Sequence, residues 1–267
     1  MSANFESHSP MLLSTRSVVP RVYIAGSRSG VGKSFLVAGL LLALRRRGLS
    51  VSCCVIGGCL QQATIFSRIC RRAVPALDPR LLTSQQIIDG IGRASVGADL
   101  VIIDGRGGLL DSNVEEAADN SDAWLAHTTD TPCVVVGDAD DVARPLVSFV
   151  RSALEAYASP QIAGVVLNRL PAEGASAVFQ EQSKALDAAG LPPCLGCLPE
   201  RVLSAQLPER GVIQERNGAA LPLQFFNEAE RVVNEGLAID ELLAIAKLAA
   251  PLEYRQVEPL VAKGECK

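Results

Sequence analysis

The chain has 267 residues, 48% of them hydrophobic, and carries a formal net charge of −4. That length and apolar content can bury the core of one large domain without requiring a second. The acidic balance argues against nucleic acid or an anionic membrane surface as the main partner, since both reward a basic face, and no apolar run reaches the ~18 uncharged residues of a membrane span.

Residues 1–20 are polar and Ser-rich. They lack the basic start and apolar centre of a secretory leader and read as a disordered arm ahead of a domain over 21–250. Without a leader, the eight cysteines are expected as reduced thiols in a cytoplasmic protein.

Val22, Tyr23, Ile24 and Ala25 predict a short strand, three glycines follow between Gly26 and Gly32, and Lys33 to Arg47 is apolar nearly all round. That is the order strand, glycine loop, buried helix. Arg45 to Arg47 suit the negative end of the helix and Gly48 its stop. Within the loop, Ser29, Gly30, Val31, Gly32, Lys33 and Ser34 have the chemistry of a phosphate cradle. Glycines let the backbone wrap an oxyanion, the lysine reaches the outer phosphates of a nucleotide, and the hydroxyl binds Mg²⁺. The amides that open the helix add a positive dipole end. Without a ligand, the same pattern is a tight strand-to-helix turn.

Val51 to Ile56 predicts the second strand, which runs into Gly57, Gly58 and Cys59. Asp78 with Pro79 is expected to cap a helix running toward Ala94. Ala98 to Ile103 predicts a strand ending in Asp104. An acid at the C-terminal end of a parallel strand beside a phosphate loop is placed to hold a Mg²⁺-bound water; the alternative is a turn acid or helix cap. Asp111 lies in the polar loop beyond, where aspartates also make turns.

A helix is expected from Ser121 to His127, a strand from Thr131 to Gly137, and a helix entered through Asp138–Arg144 and reaching Tyr157. Next come a strand from Ile162 to Leu167 closed by Asn168 and Arg169, an amphipathic helix from Glu173 to Ala189, and a strand from Pro193 to Leu198. Phe225 to Ala249 is expected as one helix and residues 251–267 as a tail. Strands recurring with helices between them spell a doubly wound, mostly parallel α/β sheet, a single P-loop domain. Cys194 and Cys197 form a C-x-x-C, but they fall on a predicted strand, which lacks the turn geometry of a redox or metal pair. With Cys53, Cys54 and Cys133 they are expected as core thiols. His8 and His127 are too few and too scattered for a zinc site.

Five residues separate Gly26 from Gly32, where the ordinary Walker loop has four. This long form, GxxSGVGKS, resembles the loop of the cobyrinic acid a,c-diamide synthases and their relatives the dethiobiotin synthetases. Further landmarks in the same order carry the resemblance from about Arg21 to Gly211: Leu77-Asp78-Pro79, DGRGGLLDS, DADDVAR, Asn168-Arg169 and Leu207-Pro208-Glu209-Arg210. The resemblance implies an ATP- and Mg²⁺-dependent amidoligase that phosphorylates the carboxylate of a small molecule and then replaces the phosphate with ammonia or an amine. It implies catalytic parts for Lys33, Asp104 and Asp111, and Mg²⁺ ligation by Ser34 and Asp104. It also implies nucleotide contacts from the loop, from Arg169 and from Asn168, the asparagine either facing the adenine edge or closing a strand-end turn. Family members draw ammonia from a glutaminase domain that would begin where this chain ends. A separate glutaminase subunit or free ammonium is therefore expected, together with a homodimer.

Val55 and Cys59 stand where the family carries a lysine and an aspartate that serve substrate and metal. Three readings are open: the carboxylate-activating ligase, a dethiobiotin-synthetase-like carboxylase acting on an amine, and a nucleotide-dependent regulator that keeps the cradle without ligase chemistry.

Overall fold

The computed structural model describes residues 12–111, 120–138, 144–156, 161–171, 173–200 and 223–257. At its two ends, β1 (Leu12–Ser17) pairs antiparallel with β9 (Leu252–Val257). Between them run β2 (Arg21–Gly26), β3 (Val51–Ile56), β4 (Ala76–Leu77), β5 (Leu100–Gly108), β6 (Cys133–Asp138), β7 (Ile162–Leu170) and β8 (Cys194–Pro199). These seven make one sheet in the order β4-β3-β5-β2-β6-β7-β8, every pairing parallel.

Side chains alternate across a strand, and β2 shows how that divides the core. Val22 and Ile24 pack on one face with α1 (Lys33–Arg46), α2 (Leu60–Cys70), α7 (Leu223–Gly236) and α8 (Ile239–Ala246). Tyr23 and Ala25 pack on the other with α3 (Ser84–Ser95), α4 (Asp122–Thr128), α5 (Arg144–Ala156) and α6 (Ala175–Ala188). The doubly wound sheet expected from the alternating pattern is therefore present. Helix α1 is buried over most of its surface, because it lies on the sheet and under α7 and α2. No helix among the described residues is long and apolar enough to cross a membrane.

The chain ends differ from expectation. Leu12–Ser17, expected in the arm, and Leu252–Val257, expected in the tail, instead form a ribbon. A two-stranded ribbon is marginal alone, and docking holds this one. Tyr254 is buried against Gly92 of α3, where a Cβ would collide with its ring. Ser17 Oγ meets Ser95 Oγ at 2.7 Å. The buried guanidinium of Arg21 donates to Ala250 O at 2.6 Å and to Thr129 O at 3.2 Å, anchoring the segment that leads into β9.

Two helix boundaries also move. The helix expected from Asp78 starts at Ser84, where Thr83 and Gln86 form a capping box. Asp78 instead takes Arg80 in a bidentate pair at 3.0 and 2.6 Å. The helix expected over Phe225–Ala249 is split into α7 and α8. At the break Gly236 packs on the carbonyl of Cys197, and Leu237 bridges Gly196 on β8.

Candidate nucleotide site

Strand β2 ends at Gly26, and its chain continues between β5 and β6. Leu109 N–H donates to Gly26 O at 2.7 Å and Ser27 N–H to Val136 O at 2.8 Å. The loop then turns into α1 through Gly30 (φ +78°) and Gly32 (φ +93°), left-handed positions that glycine takes without steric cost. Gly32 is the N-cap and supplies no side-chain cap, so the first amides of α1 are open to an anion.

The loop is fastened from behind. Asn168 Nδ2 donates to Val31 O at 2.7 Å and Arg169 Nη2 to Gly30 O at 2.6 Å. In a trans peptide the C=O and the next N–H point opposite ways, so drawing these carbonyls toward β7 turns the amides of Val31 and Gly32 away from it. Arg169 and Arg28 both pair with the buried Asp138, at 2.9 and 2.5 Å, which fixes the loop to the end of β6.

In front lies a cleft of about 630 Å³. Ser29, Gly30, Gly32, Lys33 and Ser34 line one wall, and Gly57, Gly58, Cys59, Arg80 and Arg106 line another. Lys33 is nearly buried, and its Nζ donates to Gly107 O at 2.7 Å. Gln62 of α2 donates to Ser34 Oγ at 2.8 Å and also to Asp104 Oδ2. Asp104 is fully buried, and its Oδ1 has no hydrogen-bond partner. Burial pushes its carboxyl up to about 7; Lys33 opposes that rise, Asp122 adds to it, and the bonds from Gln62 and Ser34 oppose it.

Asp122, at the start of α4, is a second buried acid near Lys33. It accepts from Tyr23 Oη at 2.8 Å, Arg106 N at 3.0 Å and Gly107 N at 3.3 Å. Burial raises its pKa, against the pull of Lys33 and these donors. Gly105 makes room for it, since a Cβ there would strike the Asp122 carboxylate. The result is a lysine among two buried carboxylates, a hydroxyl and uncapped helix amides, an arrangement suited to a polyanion and a hard cation.

Residues 22–214 match the profile of the CobQ/CobB/MinD/ParA nucleotide binding domain. The chain belongs to this family. Among its relatives is a cobyrinate a,c-diamide synthase of Syntrophotalea carbinolica, 36% identical over 66% of this chain and 38% of that protein. The cobyrinate a,c-diamide synthase of Magnetococcus marinus is 28% identical over 91% of this chain and 51% of its own. A hydrogenobyrinate a,c-diamide synthase of Streptomyces coelicolor is 28% identical over 88% and 48%. The chain thus spans about half the length, or less, of these relatives.

Within this CobQ/CobB/MinD/ParA domain, the residues singled out from sequence do not all meet. Ser34 and Asp104 meet on Gln62, and Lys33 lies close to Asp104. Asn168 lies behind the loop, its amide nitrogen engaged by Val31 O, while Arg169 holds Gly30 O and also lines the cleft. Asp111 is exposed and closes a local turn, accepting from Gly108 N at 2.7 Å. Leu207–Arg210 and the part of DADDVAR from 139 to 143 lie outside the described residues. Cys59 lines the cleft, whereas Val55 is buried in the core.

Gln62, Asp122, Asp138 and Arg106 were not assigned roles from sequence. The strand expected to end at Asp104 runs on to Gly108, so Asp104 lies within β5; Asp138, the last residue of β6, is the acid that fits the rule of a parallel strand's C-terminal end. Cys53, Cys54, Cys70 and Cys133 are buried free thiols with raised pKa values, chiefly from burial. Cys194 and Cys197 are free and half-buried on β8.

Proposed function

We propose that this chain binds ATP on the Gly26–Ser34 loop and uses it to activate a small-molecule carboxylate for amide formation with ammonia or an amine. The observation that carries the reading is the convergence of Ser34 and buried Asp104 on one side-chain amide beside Lys33. Two oxygen donors, one of them a carboxylate with an unpartnered oxygen, fit Mg²⁺, which prefers hard oxygen ligands and keeps most of its waters. Bound there, Mg²⁺ would neutralise phosphate charge; Ser34 and Asp104 would hold it.

The chain's own groups supply the rest. The open amides of α1 and the turned amides of Val31 and Gly32 cradle phosphate oxygens, and Lys33 places its charge at the outer phosphates. Asn168 and Arg169 keep the loop in shape, and we assign Asn168 to that support rather than to the adenine edge. A substrate carboxylate oxygen in the cleft attacks the γ-phosphorus as its bond to the ADP oxygen breaks. The incoming nitrogen then attacks the carbonyl carbon of the acyl phosphate, the C–N bond forms as the bond to the phosphate oxygen breaks, and inorganic phosphate leaves with the amide formed.

The named relatives support the ligase class, and the cleft lies at the C-terminal ends of β3, β5 and β2, where open α/β sheets take ligands. Cys59 at the cleft wall favours a second reading, a regulator with slow turnover, because a thiol replaces an acid there. The carboxylase reading is weaker, because the residue at its substrate-lysine position, Val55, lies in the core. The setting we propose is a cytoplasmic homodimer supplied with free ammonium or served by a separate glutaminase subunit.

The test is phosphate release from ATP by purified chain. The ligase reading expects release that requires both a carboxylic acid and ammonium, with glutamine unable to replace ammonium for the 267-residue chain alone. Release that is indifferent to acid and nitrogen donor favours the regulator.

A further inference from the structure

We infer that Arg106 is the residue that binds the substrate carboxylate, in a subsite separate from the phosphate cradle. The inference rests on the ligase reading and names the part of the cleft that takes the acid.

Four arginines line the cleft: Arg28, Arg80, Arg106 and Arg169. Three have their charge answered, Arg28 and Arg169 by Asp138 and Arg80 by Asp78. Among the described residues, the Arg106 guanidinium has neither a hydrogen-bond nor an ion-pair partner. An arginine left without a carboxylate in a concave site is a ready receptor for one, because its fork matches a carboxylate's two oxygens.

Arg106 is also held in place. Its N–H donates to Asp122 Oδ1 at 3.0 Å, which fixes the backbone. Its stem lies over Gly57, where a Cβ would sit 3.2 Å from Cγ and 3.3 Å from Cδ. A larger residue at 57 would crowd that stem, so the wall is shaped around it. Its charge also contributes to holding the Asp78 carboxyl below the usual range, behind the larger effect of Arg80.

The strand order decides which ligand it serves. The loop leaves β2. Asp138 and Arg169 stand on the β6 and β7 side, while Arg106 comes from β5, with Gly57 and Gly58 after β3 and Arg80 after β4. The two sets of arginines therefore flank the cradle on opposite sides. Arg28 and Arg169, paired with Asp138, are tied to the loop that holds the nucleotide; Arg106, on the same side as the Asp78-paired Arg80, faces the other half of the cleft. An acid held by Arg106 would lie beside Lys33 and Ser34, which line the same cleft, and so next to the outer phosphate it must attack.

The experiment is labelling of the full chain by phenylglyoxal, an arginine reagent, read at each site by mass spectrometry. Arg106 should label faster than Arg28, Arg80 or Arg169. Succinate or propane-1,2,3-tricarboxylate, added with a non-hydrolysable ATP analogue, should slow Arg106 labelling severalfold, whereas the analogue alone should not. In calorimetric titrations of the analogue-bound protein, Arg106→Gln should bind the same carboxylates about tenfold or more weakly than the wild type does, with analogue affinity near that of the wild type. Arg106→Lys should restore part of the carboxylate binding. Protection of Arg106 by the analogue alone would make it a nucleotide residue and overturn the inference, as would no protection by either acid. Carboxylate protection without any acid-dependent phosphate release would uphold the subsite while sinking the ligase reading.

Discussion

Gln62 donates its side-chain amide to Asp104, a fully buried acid whose second oxygen, Oδ1, has no hydrogen-bond partner. The carboxyl is pushed up from the ordinary aspartate value of 3.8 to about 7, mainly by burial. Cation binding needs it ionised, so Mg²⁺-nucleotide affinity should rise as pH increases through about 7, and Asp104→Asn should flatten that profile. Calorimetric titrations across the range check both. Stability runs the other way in the ligand-free chain. Its pKa is raised on folding, so between pH 3.8 and about 7 the folded chain keeps a proton that the unfolded chain has lost, and stability falls as pH rises. Thermal melts of ligand-free protein should show that decline, smaller in Asp104→Asn.

Lys33 points its ammonium at Gly107 O from the first turn of α1. Replacing it by alanine removes a charge-assisted bond to phosphate worth roughly 1.5–3 kcal/mol. Titration of Lys33→Ala with an ATP analogue should show about tenfold or greater weakening, since 1.4 kcal/mol is a factor of about ten. Unchanged affinity would remove the loop from the nucleotide site.

Much of this was legible because it is local. Strand, glycine loop and helix occupy one continuous stretch, and Asp104 stands out as an acid after an apolar run, although β5 continues past it to Gly108. Gln62 was not legible, because it reaches Ser34 and Asp104 only once α2 and β5 are brought beside α1 by the sheet. Arg106 carries no signal in the sequence, because what sets it apart is that the other three cleft arginines are paired, and only the fold shows those pairs. The ribbon escaped because its strands come from opposite ends of the chain, and neither has a partner nearby in sequence. The start of α3 was legible in principle: Thr83 and Gln86 are a capping box, while Asp78, the residue expected as cap, is engaged by Arg80.

Tyr254 tests whether that ribbon supports the fold. It is 4% exposed and packs on Gly92, so Tyr254→Ala leaves a void where a large aromatic was buried, at a cost of about 3 kcal/mol. Denaturant unfolding should show that loss. Nucleotide affinity of the folded variant should stay within about twofold, well under the tenfold that 1.4 kcal/mol represents, because β9 packs on α3 away from the loop. A stability equal to wild type would mean that the ribbon is not held by this contact.

Cys59 is the N-cap of α2 and lines the cleft, in the same helix that carries Gln62 to Ser34 and Asp104. A thiol there offers the metal no hard oxygen ligand, though Ser34 and Asp104 suffice for an ion that usually keeps several waters. Binding of Mg²⁺-nucleotide should therefore survive in the wild type, and positioning is where the missing acid is felt. Misplacement of about 1 Å can cost on the order of a hundredfold in rate, so wild-type ATP turnover should be slow and Asp104→Asn slower still. Cys59→Asp should raise basal hydrolysis; aspartate also suits an N-cap better than cysteine does, so the helix should tolerate it. Steady-state phosphate release at saturating Mg²⁺ for the three proteins decides the matter. Fast wild-type turnover that is indifferent to Asp104 would mean that another acid holds the metal, and buried Asp122, close to Lys33, would be the next residue to change.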